Sequence, residues 1–477
     1  MRESSAFPSF LTLRQAVLRA RRVERSKPLP PGPAGLPLLG SVFEVKHDVL
    51  RLLLHGMLDY GDTVRFRFGP WDFVTLHRPE DIRAVLLERH AEFHKSPSYE
   101  GLRLVLGNGL LTSEGEFWQR QRKLATPAFH HRRLIEFAST MTRCTSELAD
   151  AWAPRVRSGD ATLDVFEHMT ALTFRIVGLT LFSTELSEHA GAMGPALATV
   201  VEHANHLATS LMLAPPPWLP TPRNLRFRRA IAVIDELVLG IIAQRRASGV
   251  EQPDLLGMLM AASGEDDPSA RMSDAELRDE VATLVLAGHE TTANALTWTL
   301  LLLSQHPDID ARVHDELERV CAGDPPTFEQ LAALPYLAQV LDESMRLYPP
   351  AWMFERIALN DLELGDYAIP KGTLVAVSPY TLHRHPGHWS RPTRFDPERF
   401  TDAAKAARPR YTYLPFGGGP RQCIGTNFAL IEAKLVLATL LQRYRFELLP
   451  GQDLRPDPAI TLRPRAGLRM RVHARGG

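Results

Sequence analysis

From Val281 to Leu303 the chain is almost continuously apolar, and this run constrains the fold more than any other feature. It is entered through Ser273-Asp274-Ala275-Glu276. A Ser followed three residues later by a Glu forms a capping box, each side chain bonding the other residue's backbone N–H, so a helix is predicted to begin there. By length that helix could cross a bilayer. Against this, Gly288-His289-Glu290-Thr291-Thr292 lies in its middle, where an ionisable group is costly in lipid, and the sequence offers no second hydrophobic span to pair with it. A helix apolar on all sides is then a core helix, and the rest of the chain has to wrap it.

The wrapping is predicted to be helical. From Glu114 onward helical periodicity dominates the middle of the chain, interrupted at the proline-rich 214–220, the polar stretch 264–268 and Asp324-Pro325-Pro326. Val64–Phe68 and Phe73–Leu76, flanking Gly69-Pro70-Trp71-Asp72, alternate apolar and polar residues and read as a hairpin; Leu374–Val377 and Leu468–Val472 read as further strands. The expected fold class is mainly α with a small β-sheet region. The 477 residues contain no linker, repeat or low-complexity tract, so a single large domain over 28–477 is expected behind a leader at 1–27. In that leader Phe10, Leu13, Val17 and Leu18 stand among Arg14, Arg19, Arg21, Arg22 and Arg25, too charged for a bilayer span or a secretory signal. It reads as a solvated helix, with peripheral membrane contact as the alternative. With Lys+Arg 55 against Asp+Glu 55, no nucleic-acid partner is expected. Three dispersed cysteines, Cys144, Cys321 and Cys423, give neither a disulfide framework nor a zinc pair, which fits a reducing cytoplasm.

The polar interruption of the central helix needs a reason. Gly288 costs a helix interior about 1 kcal/mol relative to Ala, and Thr291 and Thr292 are mediocre helix formers, so a break is expected here. Gly lets a ligand approach the backbone, while Thr291 and Glu290 form an acid–alcohol pair suited to delivering protons. The competing reading is a kinked core helix with Glu290 paired to an Arg. A zinc-protease motif is excluded, because Ala293 stands where its second histidine would have to be.

Near the C-terminus, Phe416-Gly417-Gly418-Gly419-Pro420-Arg421-Gln422-Cys423-Ile424-Gly425 sets a cysteine in a glycine-rich loop ahead of an apolar helix from about Thr426. Free N–H groups and the positive end of that helix, with Arg421 two residues away, favour thiolate over thiol, as a soft redox metal such as haem iron would require. A buried structural cysteine is the other reading. Phosphate-loop and dinucleotide patterns fail, the first for want of a Lys and the second at Gln422. Glu343 and Arg346, three apart on one helix, read by themselves as a surface ion pair.

Together these segments resemble the cytochrome P-450 superfamily of haem-thiolate monooxygenases, in order over nearly the whole chain. The family's F-x-x-G-x-R-x-C-x-G is met at Phe416, Gly419, Arg421, Cys423 and Gly425, and its A-G-x-[DE]-T-[TS] at Ala287, Gly288, Glu290, Thr291 and Thr292. Its E-x-x-R is Glu343 and Arg346, with Arg399 completing a buried salt-bridge cluster, and its W-x-x-x-R is Trp118 and Arg122. The resemblance implies a triangular, helix-rich single domain with haem b between the central helix and the cysteine-loop helix. Cys423 would be the iron ligand, Trp118, Arg122, Arg356 and Arg421 would hold the propionates, and Ala287, Gly288, Phe416 and Gly425 would lie against the haem. His383-Arg384-His385-Pro386-Gly387-His388, otherwise a candidate zinc cluster, falls on the family's H-R-x-P meander.

The implied activity is O2-dependent hydroxylation or epoxidation of a hydrophobic molecule, with Glu290 and Thr291 delivering protons. Electrons derived from NAD(P)H would arrive through separate proteins, a ferredoxin and its reductase or a flavodoxin-type donor, and a monomer without transmembrane anchor is expected. Substrate-contact candidates are Leu102, Leu286, Trp352, Met353, Phe354 and Ile460, and the turn 215–218 corresponds to a mobile roof in relatives. Their apolar character suits a fatty acid, a terpenoid or a polyketide-like natural product; Pro458–Pro464 resembles fatty-acid-hydroxylating members. The rivals are a peroxygenase or haem-thiolate isomerase that needs no external electrons, and a non-catalytic carrier of haem or lipophiles.

Overall fold

The computed structural model describes residues 27–159, 161–186, 189–209, 218–250, 252–261 and 272–475. The leader up to residue 26, the prolines at 215–217 and the polar stretch 264–268 lie outside them. The chain forms two compact units: Met1–Ser98 with Met353–Pro392 and Pro409–Gln422, and Tyr99–Trp352 with Thr393–Arg408 and Cys423–Gly477.

The first unit is built on a five-stranded sheet in the order Thr63–Phe68, Trp71–Leu76, Leu374–Val377, Phe354–Ala358, Phe93–Lys95. The predicted hairpin pairs Phe66 with Phe73, and their rings lie 6.4 Å apart. Leu374–Val377 runs parallel to the hairpin's second strand, which a long crossover connection allows, and antiparallel to Phe354–Ala358. Val74, Leu76, Ile82, Val85, Leu86, Val375 and Leu414 close its core.

The second unit surrounds the central helix, which spans Asp274–Gln305. Both halves of the predicted capping box form: Ser273 N–H donates to Glu276 at 2.6 Å, and Glu276 N–H donates to Ser273 Oγ at 3.2 Å. The helix packs on Val165–Leu181, Pro222–Ser248, Pro335–Leu347 and Thr426–Arg443, so most of its apolar residues are buried. No helix among the described residues is long and apolar enough to cross a membrane. The expected break is absent: the helix runs unbroken through Gly288–Thr292. The Thr291 and Thr292 hydroxyls bond back to Ala287 O at 2.9 Å and Gly288 O at 3.3 Å, satisfying themselves inside the helix instead of opening it.

Helix accounts for 59% of the structure, which makes the fold mainly α with small sheets, as expected. Thr162–Asp164, a strand hidden within the helical periodicity, pairs with Arg469–Ala474, which in turn pairs with Tyr444–Leu448. A short hairpin, Pro456–Pro458 with Leu462–Pro464, lies between Tyr444–Leu448 and Arg469–Ala474 in the chain. Glu343 and Arg346 are not a surface pair. Both are fully buried, with two hydrogen bonds at 2.6 and 2.8 Å, and Arg399 lies 3.4 Å from the same carboxylate. Asp396 N–H and Arg394 O complete the set at 2.9 and 3.0 Å, so every charge in the cluster is answered.

Candidate active site

Cys423 follows the tight turn Gly419–Arg421 and precedes the helix Thr426–Arg443. Gly419 is obligatory: its φ is 68°, and an added Cβ would stand 1.8 Å from Leu86 O. Phe428, in the first turn of the helix, meets Phe129 and Phe137 edge to face with centroids 6.5 and 6.1 Å away, which fixes where the helix begins. The accessible surface of Cys423 is open, yet protein rings the sulfur closely enough for desolvation to push the thiol up. The Gly425 N–H, the Arg122 guanidinium and the Thr426 hydroxyl pull the other way without winning. Partners that favour thiolate are therefore present around the sulfur, and burial opposes them.

Trp118 and Arg122 stand one turn apart on Gly115–Ala125, both partly exposed. Burial lowers the Arg122 pKa, and the nearby Cys423 raises it. On the central helix Ala287 is exposed and Leu286, Gly288, Glu290 and Thr291 are partly exposed, between stretches buried all round. The sequence left Glu290 with an arginine or with solvent. Instead it accepts a hydrogen bond from Thr461 Oγ at 2.7 Å.

Leu102 and Ile460 are likewise partly exposed. Trp352 is buried, and its indole N–H donates to Ala459 O at 2.8 Å, so it braces the segment beside Ile460. Met353, Phe354, Arg356, Phe416 and Arg421 belong to the first unit. There Phe354 packs against the sheet's core, and Arg356 donates to Glu355 O at 2.9 Å. The histidine cluster is spent on other bonds: His385 pairs with Asp62 at 2.9 Å and His388 Nε2 lies 3.2 Å from His77 O.

A family model described as cytochrome P450 matches residues 30–468. The chain belongs to the cytochrome P450 family. It is 38% identical to cyclooctatin synthase of Streptomyces melanosporofaciens, over 90% of this chain and 92% of that protein. Cyclooctat-9-en-7-ol 5-monooxygenase of the same organism is 36% identical, over 88% of this chain and 90% of that protein. Pentalenene oxygenase of Streptomyces avermitilis is 34% identical, over 93% of this chain and 97% of that protein. The protein is therefore a P450 monooxygenase, using haem iron, O2 and reducing equivalents from redox partners on a hydrophobic substrate.

The donor set fits that cofactor. An accessible thiol suits iron, a guanidinium and an indole N–H suit carboxylates, and Ala287 and Gly288 leave bare backbone on an otherwise packed helix. Two residues of the second unit escape motif reading. Thr461 shares with Ile460 a stretch that corresponds to a family substrate-contact region, which assigns it no role toward Glu290, and Glu432 is only a lone acid between Ile431 and Ala433. Glu432 is fully buried beside Thr292, and neither of its carboxyl oxygens has a hydrogen-bond partner among the described residues. Burial pushes its pKa well up.

Proposed function

We propose that this P450 hydroxylates a terpenoid, drawing electrons from a ferredoxin and its reductase as a cytoplasmic monomer whose catalytic domain spans 28–477. One observation carries the substrate class: relatives matched over about nine-tenths of the chain are named for cyclooctat-9-en-7-ol and pentalenene, both terpenoids. The apolar candidates Leu102, Leu286, Met353, Phe354 and Ile460 suit such a molecule, which offers few polar handles and is held by shape and desolvation.

In this reading Cys423 holds the iron, while Trp118, Arg122, Arg356 and Arg421 hold the carboxylates of the haem. When bound, haem iron supplies the reductive activation of O2. The protein supplies protons. The Thr291 hydroxyl, by turning away from Ala287 O, donates toward the open face, and Glu290 draws replacement protons from solvent. One oxygen atom enters a C–H bond and the other leaves as water, consuming two electrons and two protons. The test is a panel of cyclic terpene hydrocarbons and alcohols beside fatty acids. Binding difference spectra and product formation with NADPH, ferredoxin and reductase are expected for the terpenes, and turnover confined to fatty acids would reject the assignment.

A further inference from the structure

We propose that Thr461 is a positioning residue for the reaction's acid, holding the Glu290 carboxylate through a relay that begins at Asn294. This deepens the role given to Glu290 and Thr291 above and rests on it. The Thr461 hydroxyl lies 2.7 Å from Glu290 Oε1 and 3.0 Å from Asn294 Nδ2. A hydroxyl has one hydrogen to donate and an ionised carboxylate can only accept, so that hydrogen goes to Glu290 and the Asn294 amide donates to Thr461. Glu290 and Asn294 are four apart on one helix and face the same side, which lets a single hydroxyl serve both. Asn294 is 0% exposed and Thr461 6%, so water does not compete for the relay, whereas Glu290 itself is partly open.

The segment that carries Thr461 is braced on both sides. Trp352 donates to Ala459 O at 2.8 Å, Trp298 donates to Leu462 O at 2.9 Å, and Leu462 N–H donates to Pro350 O at 2.9 Å. Such bracing keeps one rotamer of a half-exposed Glu favoured over the several it would otherwise sample. The chemistry of the partner matters as much as its position. A guanidinium would also fix the carboxylate, but it would oppose protonation; a neutral hydroxyl orients the acid and leaves it able to take up and release a proton. Ile460, a substrate-contact candidate, lies between the braced Ala459 and Thr461, so one rigid segment presents both a substrate contact and the acid's anchor.

The test uses the haem-loaded enzyme with its redox partners, reading product formed per NADPH and peroxide released. Thr461→Val keeps the shape and removes the donor. It is expected to lower product per NADPH by about tenfold or more, the worth of one hydrogen bond to a charged group. Thr461→Ser is expected to restore it, with the reduced-CO band and substrate-binding spectra unchanged in both. In a Glu290→Gln background, Thr461→Val should add little, because the relay then has no acid to position. Wild-type coupling in Thr461→Val, or an equal further loss in the Glu290→Gln background, would overturn the relay. Full coupling in Glu290→Gln alone would instead remove the acid's role, and the relay's purpose with it.

Discussion

Replacing Glu280 by Gln removes one titration and little else. Glu280 lies on the central helix, 1% exposed, and accepts the Leu110 N–H at 3.1 Å through one oxygen, while its other oxygen has no partner among the described residues. Burial, with smaller contributions from Asp279 and Glu276, raises its pKa from 4.5 to about 7 against the opposing pull of the Leu110 N–H. A raised carboxyl stabilises the fold fully below the unfolded value and loses that contribution as pH climbs through the folded one. The shift from 4.5 to about 7, at about 1.4 kcal/mol per pH unit, comes to about 3 kcal/mol. Glu280→Gln keeps an acceptor for Leu110 and has nothing to ionise. It should therefore match the wild type near pH 4.5 and exceed it by about 3 kcal/mol at pH 8. For 477 residues melting in one step that is about 3 °C in Tm. Thermal melts of the two proteins from pH 5 to 8, followed by far-UV circular dichroism, read the difference directly, with other titrations cancelling. A constant offset across that range, or a variant less stable at pH 8, would refute the argument.

Arg346→Leu leaves the Glu343 charge buried with only Arg399 and the Asp396 N–H to answer it, and should cost about 3–5 kcal/mol in denaturant titration. The double variant Glu343→Leu/Arg346→Leu should recover part of that loss, since the orphaned charge is what costs. Cys423→His should abolish the reduced-CO absorption band of thiolate-ligated haem while far-UV circular dichroism stays unchanged. His77 is fully buried, and desolvation with His385 beside it lowers its pKa to about 4. Its contribution is present above the unfolded value of 6.5 and is lost as pH falls toward 4, about 3 kcal/mol in all, so acid melts of His77→Gln should show a shallower decline.

How much of this could be read from sequence depended on whether a residue's role follows from its spacing. The capping box at Ser273 and Glu276, the hairpin about Gly69-Pro70 and the strand at Leu374–Val377 each rest on local chemistry and formed where expected. Thr162–Asp164 did not show, because a three-residue strand between helices acquires its identity from pairing with Arg469–Ala474, some three hundred residues on. Glu343 and Arg346 have the spacing of a surface pair; only burial by the surrounding helices distinguishes them, and it was family likeness, not periodicity, that pointed to it. The central helix shows the same limit from the other side. Its propensities called for a break, but packing on four neighbouring helices, together with threonine hydroxyls bonding to the preceding turn, outweighs a penalty of about 1 kcal/mol.

Glu280 and Glu290 make the point within a single helix. They are the same residue type ten positions apart, and at 100° per residue their side chains leave the helix roughly 80° from one another. That turn separates two environments. Glu280 faces Leu110 in a buried setting that holds its proton to near neutral pH. Glu290 lies on the open stretch and meets a hydroxyl. A motif picks out the second because the residues that define its chemistry, Gly288 and Thr291, are its neighbours in sequence. Nothing adjacent marks the first, whose partner Leu110 comes from a distant loop. The two acids therefore differ in their tertiary partners, and under the proposed reading it is those partners, more than residue type, that separate an acid given a role in proton delivery from one that is merely buried.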